Sequence, residues 1–157
     1  MKVSKSGLFL FELIVVIFLF TLSAAVCINI FANSYNYSTD SENLTKSSLN
    51  AMTVAEVFKD GDGDANSDVD EIVEALDSDS DFYDVKFGDG TGDYGRFTLN
   101  IYYDKKWENT RRADKTYTLT VSAENDTVNE RLIRASIKVT DNKEALLEME
   151  TLKLSSN

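Results

Sequence analysis

Hydrophobic and polar positions divide the chain into three unlike stretches. Between residues 8 and 32 the only charged side chain is Glu12, and most of the rest are apolar. The uncharged run 13–32 is twenty residues long, and about 20 such residues suffice to cross a bilayer as a helix. Its polar members, Thr21, Ser23 and Asn29, can bond their own backbone or a neighbouring helix. Beyond Ala32 the chain turns polar, yet Leu44, Ala51, Ala55 and Phe58 recur at steps of seven, four and three, with Met52 widening the stripe. That spacing predicts an amphipathic helix. Thr39 and Glu42 have the separation of a capping box, which predicts a break or restart near Ser38. Lys59-Asp60-Gly61 predicts the helix end, since glycine favours stops. Taken as continuous from Leu8 to Phe58, the helix has 51 residues and a length of about 77 Å at 1.5 Å per residue.

The last third alternates with period two. Phe97, Leu99, Ile101 and Tyr103 interleave with Arg96, Thr98, Asn100 and Tyr102. Tyr117, Leu119, Val121 and Ala123 interleave with threonines and Ser122, and Ile133, Ala135, Ile137 and Val139 with Arg134, Ser136 and Lys138. Each reads as a strand with one wet face. Tyr83, Val85 and Phe87 predict a shorter strand before them. Residues 145–154 predict another after the Asp141-Asn142-Lys143 turn, with a slip in alternation around Glu150. A long helix on a four- or five-stranded antiparallel meander is an α+β fold.

Composition then removes whole classes of chemistry. The 157 residues include no histidine, no proline and one cysteine. Without His there is no Ser-His-Asp triad, no Cys-His dyad and no His-ligated zinc. One Cys excludes an intrachain disulfide framework and any multi-cysteine metal site. The net charge of −11 is local. Residues 1–55 sum to zero (three acids, three bases), 56–93 to −12 (fourteen acids, two bases) and 94–157 to +1 (ten acids, eleven bases). No basic face is indicated, so direct nucleic-acid binding is not expected. Catalysis would rest on carboxylates, Lys, Ser/Thr or a hard cation, and no enzyme is expected. A carboxylate hydrolase using a pair such as Asp79 and Asp81 has only the abundance of acids behind it.

The N-terminus admits several readings. A secretory signal would end in a small-residue cleavage site, but the apolar run is too long and Glu12 stands near its start. Leu22-Ser23-Ala24-Ala25-Val26-Cys27 is a loose lipoprotein signal, with Val26 where Gly or Ala is usual. A plain membrane anchor accounts for the length, and Lys2 and Lys5 put its start on the cytoplasmic side. It leaves Glu12 unexplained, and an ionisable group in an apolar span is costly unless it meets a partner.

Lys5-Ser6-Gly7 followed by Leu8-Phe9-Leu10-Phe11-Glu12-Leu13-Ile14-Val15-Val16-Ile17 resembles the class III signal of type IV pilins and of the pseudopilins of type II secretion and competence systems. In that family a membrane-embedded prepilin peptidase cuts after the glycine of a short basic leader and methylates the new N-terminus, and a glutamate stands fifth in the mature chain. Cleavage after Gly7 makes Leu8 first and Glu12 fifth. Leu8 stands where Phe is commoner, Phe11 where Ile or Leu is usual, and Asn29 where many major pilins carry a proline. The last departure favours a minor pilin or pseudopilin over a major one. The resemblance implies a leader (1–7), a membrane and assembly helix (8–33), an amphipathic continuation (34–59), an acidic connection (60–93) and a β-sheet head (94–157). It further implies sibling pilin subunits, a prepilin peptidase, an assembly ATPase and a membrane platform protein as partners. The head would be extracytoplasmic, first on the cytoplasmic membrane and then in a surface or periplasmic filament. Glu12 would pair with the α-amine of Leu8 on a neighbouring subunit.

The stretch from Asp60 to Glu71 is the most suggestive chemically. Asp60, Asp62, Asp64, Asn66, Asp68 and Glu71 fall at positions 1, 3, 5, 7, 9 and 12 of a twelve-residue window, the ligand spacing of a calcium-binding EF-hand loop. Ala65 sits where that loop needs Gly, and Ser67 where it is usually apolar. A second acidic loop, Gly88-Asp89-Gly90-Thr91-Gly92-Asp93, offers further oxygens. Calcium is therefore a candidate ligand, set against a solvated, self-repelling loop that binds nothing. A rival to the filament reading follows: a membrane- or lipid-anchored extracytoplasmic calcium-binding domain that does not polymerise.

Overall fold

The computed structural model describes residues 5–88, 97–126, 128–129, 131–141 and 144–154. Helix α1 (Lys5–Asp60) is followed by α2 (Ala65–Ala75) and strands β1 (Tyr83–Phe87), β2 (Phe97–Tyr103), β3 (Tyr117–Asn125), β4 (Leu132–Asp141) and β5 (Ala145–Leu154). The strands form one antiparallel sheet in sequence order. The fold is thus α+β, a long N-terminal helix packed on a five-stranded meander.

α1 runs 56 residues without interruption, so the expected break near Ser38 does not occur. Thr39 donates its hydroxyl back to the Tyr35 carbonyl at 3.1 Å rather than capping a new helix. The helix stops where predicted, with the Gly61 N–H still bonded to the Val57 carbonyl. The chain divides after Glu42 into two compact units. In the first, the apolar side chains from Leu8 to Phe31 are exposed, and the helix is long and apolar enough to cross a membrane.

In the second unit the buried stripe of α1 is Ser47, Ala51, Val54 and Phe58, all fully buried. This corrects the expected stripe: Leu44 and Met52 are exposed, while Ser47 and Val54 take the inward positions at steps of four, three and four. Ser47 tolerates burial because its hydroxyl donates to the Asn43 carbonyl at 2.7 Å. Val69 and Ile72 of α2 complete the helical layer. Against it lie Leu99 and Ile101 of β2, Leu119 and Val121 of β3, and Ile133, Ile137 and Val139 of β4, the inward residues the alternation predicted. In β5 the slip falls earlier than expected. Val139 pairs with Leu147 and Thr140 with Ala145, leaving Leu146 as an extra residue. That bulge resets the phase so that Thr151 and Lys153 point inward.

Candidate functional site

Gly7, Leu8 and Glu12 lie on α1, with Leu8 and Glu12 exposed. Leu8, Phe11, Glu12, Val15 and Val16 line one shallow groove along the helix. Residues at steps of three and four share a helical face, so the carboxylate sits one turn from Leu8 in an otherwise apolar surface. Cys27 is exposed further along the same helix.

The acidic stretch takes a different form from a cation loop. Asp62 accepts the Asp64 N–H at 2.9 Å, and Gly63 follows it in the left-handed region at φ 91°, a conformation that glycine adopts freely. Asp64 is the N-cap of α2: its carboxylate accepts the Ser67 N–H at 3.2 Å. Helix therefore begins at Ala65, halfway through the expected loop, and turns Asn66 away from the side that carries Asp68 and Glu71. Asn66 and Glu71 are exposed, whereas Asp68 turns inward to Lys153. Asp60 and Glu71 line a groove between α1 and α2 together with Thr53, Glu56, Val57, Glu74 and Ala75. Among the described residues no three acidic or thiol groups are placed to hold a metal ion. The six residues of the expected loop do not converge on one point here. An early N-cap turns the second half of the loop into helix, and a lysine takes the central carboxylate. The second acidic loop, from Asp89 onward, lies outside the described residues. Asp81, one of the two carboxylates considered for hydrolysis, is exposed and faces Arg111 at 3.8 Å.

What the sequence reading missed is the pair at the centre of this region. Lys153 Nζ lies 2.5 Å from Asp68 Oδ2, with side-chain exposures of 3% and 0%. The ammonium sits 4.2 Å above the Phe58 ring. Burial pushes the Asp68 carboxyl above its ordinary value; the hydrogen bond and charge of Lys153 oppose this, and Asp62 and Glu71 reinforce it. The signal for Lys153 was present in β5, where it is in phase with Met149 and Thr151. Reading it required knowing that Leu146 is the bulge.

Two further polar clusters shape the head. Tyr102 donates to Asp84 Oδ2 at 2.6 Å, Arg112 faces that carboxylate at 3.4 Å, and Lys115 stands 5.0 Å over the Tyr102 ring. Burial, then the bond to Asp84, pushes the Tyr102 phenol up to about 12. Asp126 accepts the Arg134 guanidinium at 2.7 Å and the N–H groups of Val128 and Asn129. Those donors, Arg134 first, hold its carboxyl below the ordinary value. Compared with known proteins, the chain matches no family model, no curated protein and no solved structure.

Proposed function

We propose that the chain is a structural subunit of the type IV pilin-like kind, a minor pilin or pseudopilin of a type IV pilus, type II secretion or competence filament. The observation that carries this reading is the first half of α1. It is a continuous helix whose apolar side chains are exposed, and its one carboxylate stands five residues after Gly7. Such a surface needs cover from lipid before assembly and from other helices after it. Gly7 and Leu8 are the processing site, cut and methylated by a prepilin peptidase. Glu12 is the assembly residue, matched to the Leu8 amine of a neighbour. An ATPase and a membrane platform extract the subunit, and the β-sheet head stays extracytoplasmic throughout. The role is assembly rather than turnover.

Mass spectrometry of the chain recovered from a host that carries a prepilin peptidase tests this. The mature protein should start at N-methyl-Leu8. An intact N-terminus, or an acyl group on Cys27, would instead make it an anchored domain that does not polymerise.

A further inference from the structure

We propose that Lys153 and Asp68 become joined by an intramolecular amide bond between Nζ and Cγ. The two groups are in contact, Nζ to Oδ2 at 2.5 Å, in a site almost closed to water. The Phe58 ring lies beneath the nitrogen. On the other side Gly61 comes so close that a Cβ there would stand 2.2 Å from Asp68 Oδ1. Carboxyl and amine are thus held against each other by the end of α1, the turn after it, α2 and β5.

The same surroundings serve an ion pair poorly. Asp68 Oδ1 is buried with no hydrogen-bond partner, and the cost of taking two full charges out of water is offset only when the remaining polar atoms are satisfied. Condensation removes both charges and leaves a neutral amide. The balance is simple. The ammonium passes one proton to Oδ2 across the existing contact. The freed amine then attacks Cγ, the Cγ–Oδ2 bond breaks, and Oδ2 leaves as water with a second proton from nitrogen. Oδ1 remains as the amide oxygen. No oxidant, reductant or further reactant is consumed. Exclusion of water favours the product side, and fixed contact replaces a bimolecular encounter.

The bond would join residues 85 apart in sequence, tying edge strand β5 to the first turn of α2. The only cysteine lies in the apolar helix, so no disulfide can do this. The inference rests on the head alone and stands whether or not the chain enters a filament.

The full-length chain, purified in detergent, denatured and digested with trypsin, decides the matter. An amide at Lys153 blocks cleavage there. The expected product is the 60–86 peptide joined to the 144–157 peptide, lighter than their sum by one water, and absent from a Lys153→Arg chain. Recovery of 60–86 as a linear peptide together with 144–153 cut at Lys153 would overturn the proposal. The wild-type digest gives this answer even if the variant fails to fold.

Discussion

The indole N–H of Trp107 donates to the side-chain oxygen of Asn43 at 3.1 Å, tying the β2–β3 connection to the first residue of the head unit. The ring stacks on Tyr117 at 4.3 Å and leans on Tyr103 at 5.7 Å. To reach this position Trp107 takes a left-handed backbone, φ 67°, which a bulky residue rarely adopts. The turn is held by Asp104, whose carboxylate accepts the N–H groups of Lys106 and Glu108 at 2.7 and 3.0 Å. Close by, Lys46 reaches the Lys106 carbonyl at 3.2 Å. Trp107→Ala should destabilise the head by about 2–3 kcal/mol, below the range for fully buried aromatics because Trp107 is only partly buried. Denaturant unfolding checks this, and a double-mutant cycle with Asn43→Ala should give a coupling of about 1 kcal/mol. Zero coupling would mean the bond contributes nothing.

Gly61→Ala tests the packing around the buried pair. Its Cβ would meet Asp68 Oδ1 at 2.2 Å and Lys153 Nζ at 3.2 Å, so a fully buried side chain must shift. The expected loss is about 1–3 kcal/mol, as for other overpacked cores. A variant as stable as the parent in urea unfolding would show that the turn moves freely.

Asp126 gives a pH signature. Its carboxyl is held below the ordinary 3.8 in the folded chain, so the unfolded chain binds the proton more readily. Stability from this site is therefore fully present above about pH 4 and is lost as pH falls through the folded value. Asp126→Asn should lower stability at neutral pH, and the gap from wild type should close as acidification protonates the folded-state carboxyl. A stability difference between wild type and the Asp126→Asn variant that is independent of pH would contradict the role of the Arg134 pair.

Calcium should leave the head unchanged. With Asp64 committed to capping, Asp68 to Lys153, and no three acidic groups placed to hold a metal ion among the described residues, melting temperature should be the same in calcium and in chelator. A concentration-dependent rise with calcium would restore the loop as a site.

Glu12→Ala should leave membrane insertion intact, since removing a charge only eases it, but strongly reduce recovery of the subunit in sheared filaments. Undiminished incorporation would detach Glu12 from assembly.

Most of the architecture was legible because its signals are local. An apolar run long enough for a bilayer, a stop at Gly61 and period-two alternation in β2, β3 and β4 depend on neighbours three or four residues away, and the fold reproduces them. The inward stripe of α1 was only half legible. Leu44 and Met52 are hydrophobic enough to be assigned inward, yet the sheet covers Ser47 and Val54 instead. Which side of a helix is covered depends on where the opposing surface lies.

The acidic stretch shows the same division more sharply. From one-dimensional spacing, six oxygens at nearly every second residue describe a cation loop. The backbone uses Asp64 to start α2, and once residues 65–75 are helical the same oxygens diverge around an axis. By itself the sequence determined a long apolar-then-amphipathic helix and an antiparallel meander, because periodicity and length carry that information. Only the tertiary structure decided that Leu146 bulges, that Lys153 therefore turns inward, and that it meets Asp68 from 85 residues away. A contact between distant segments is set by packing of the whole core, and no local pattern encodes it.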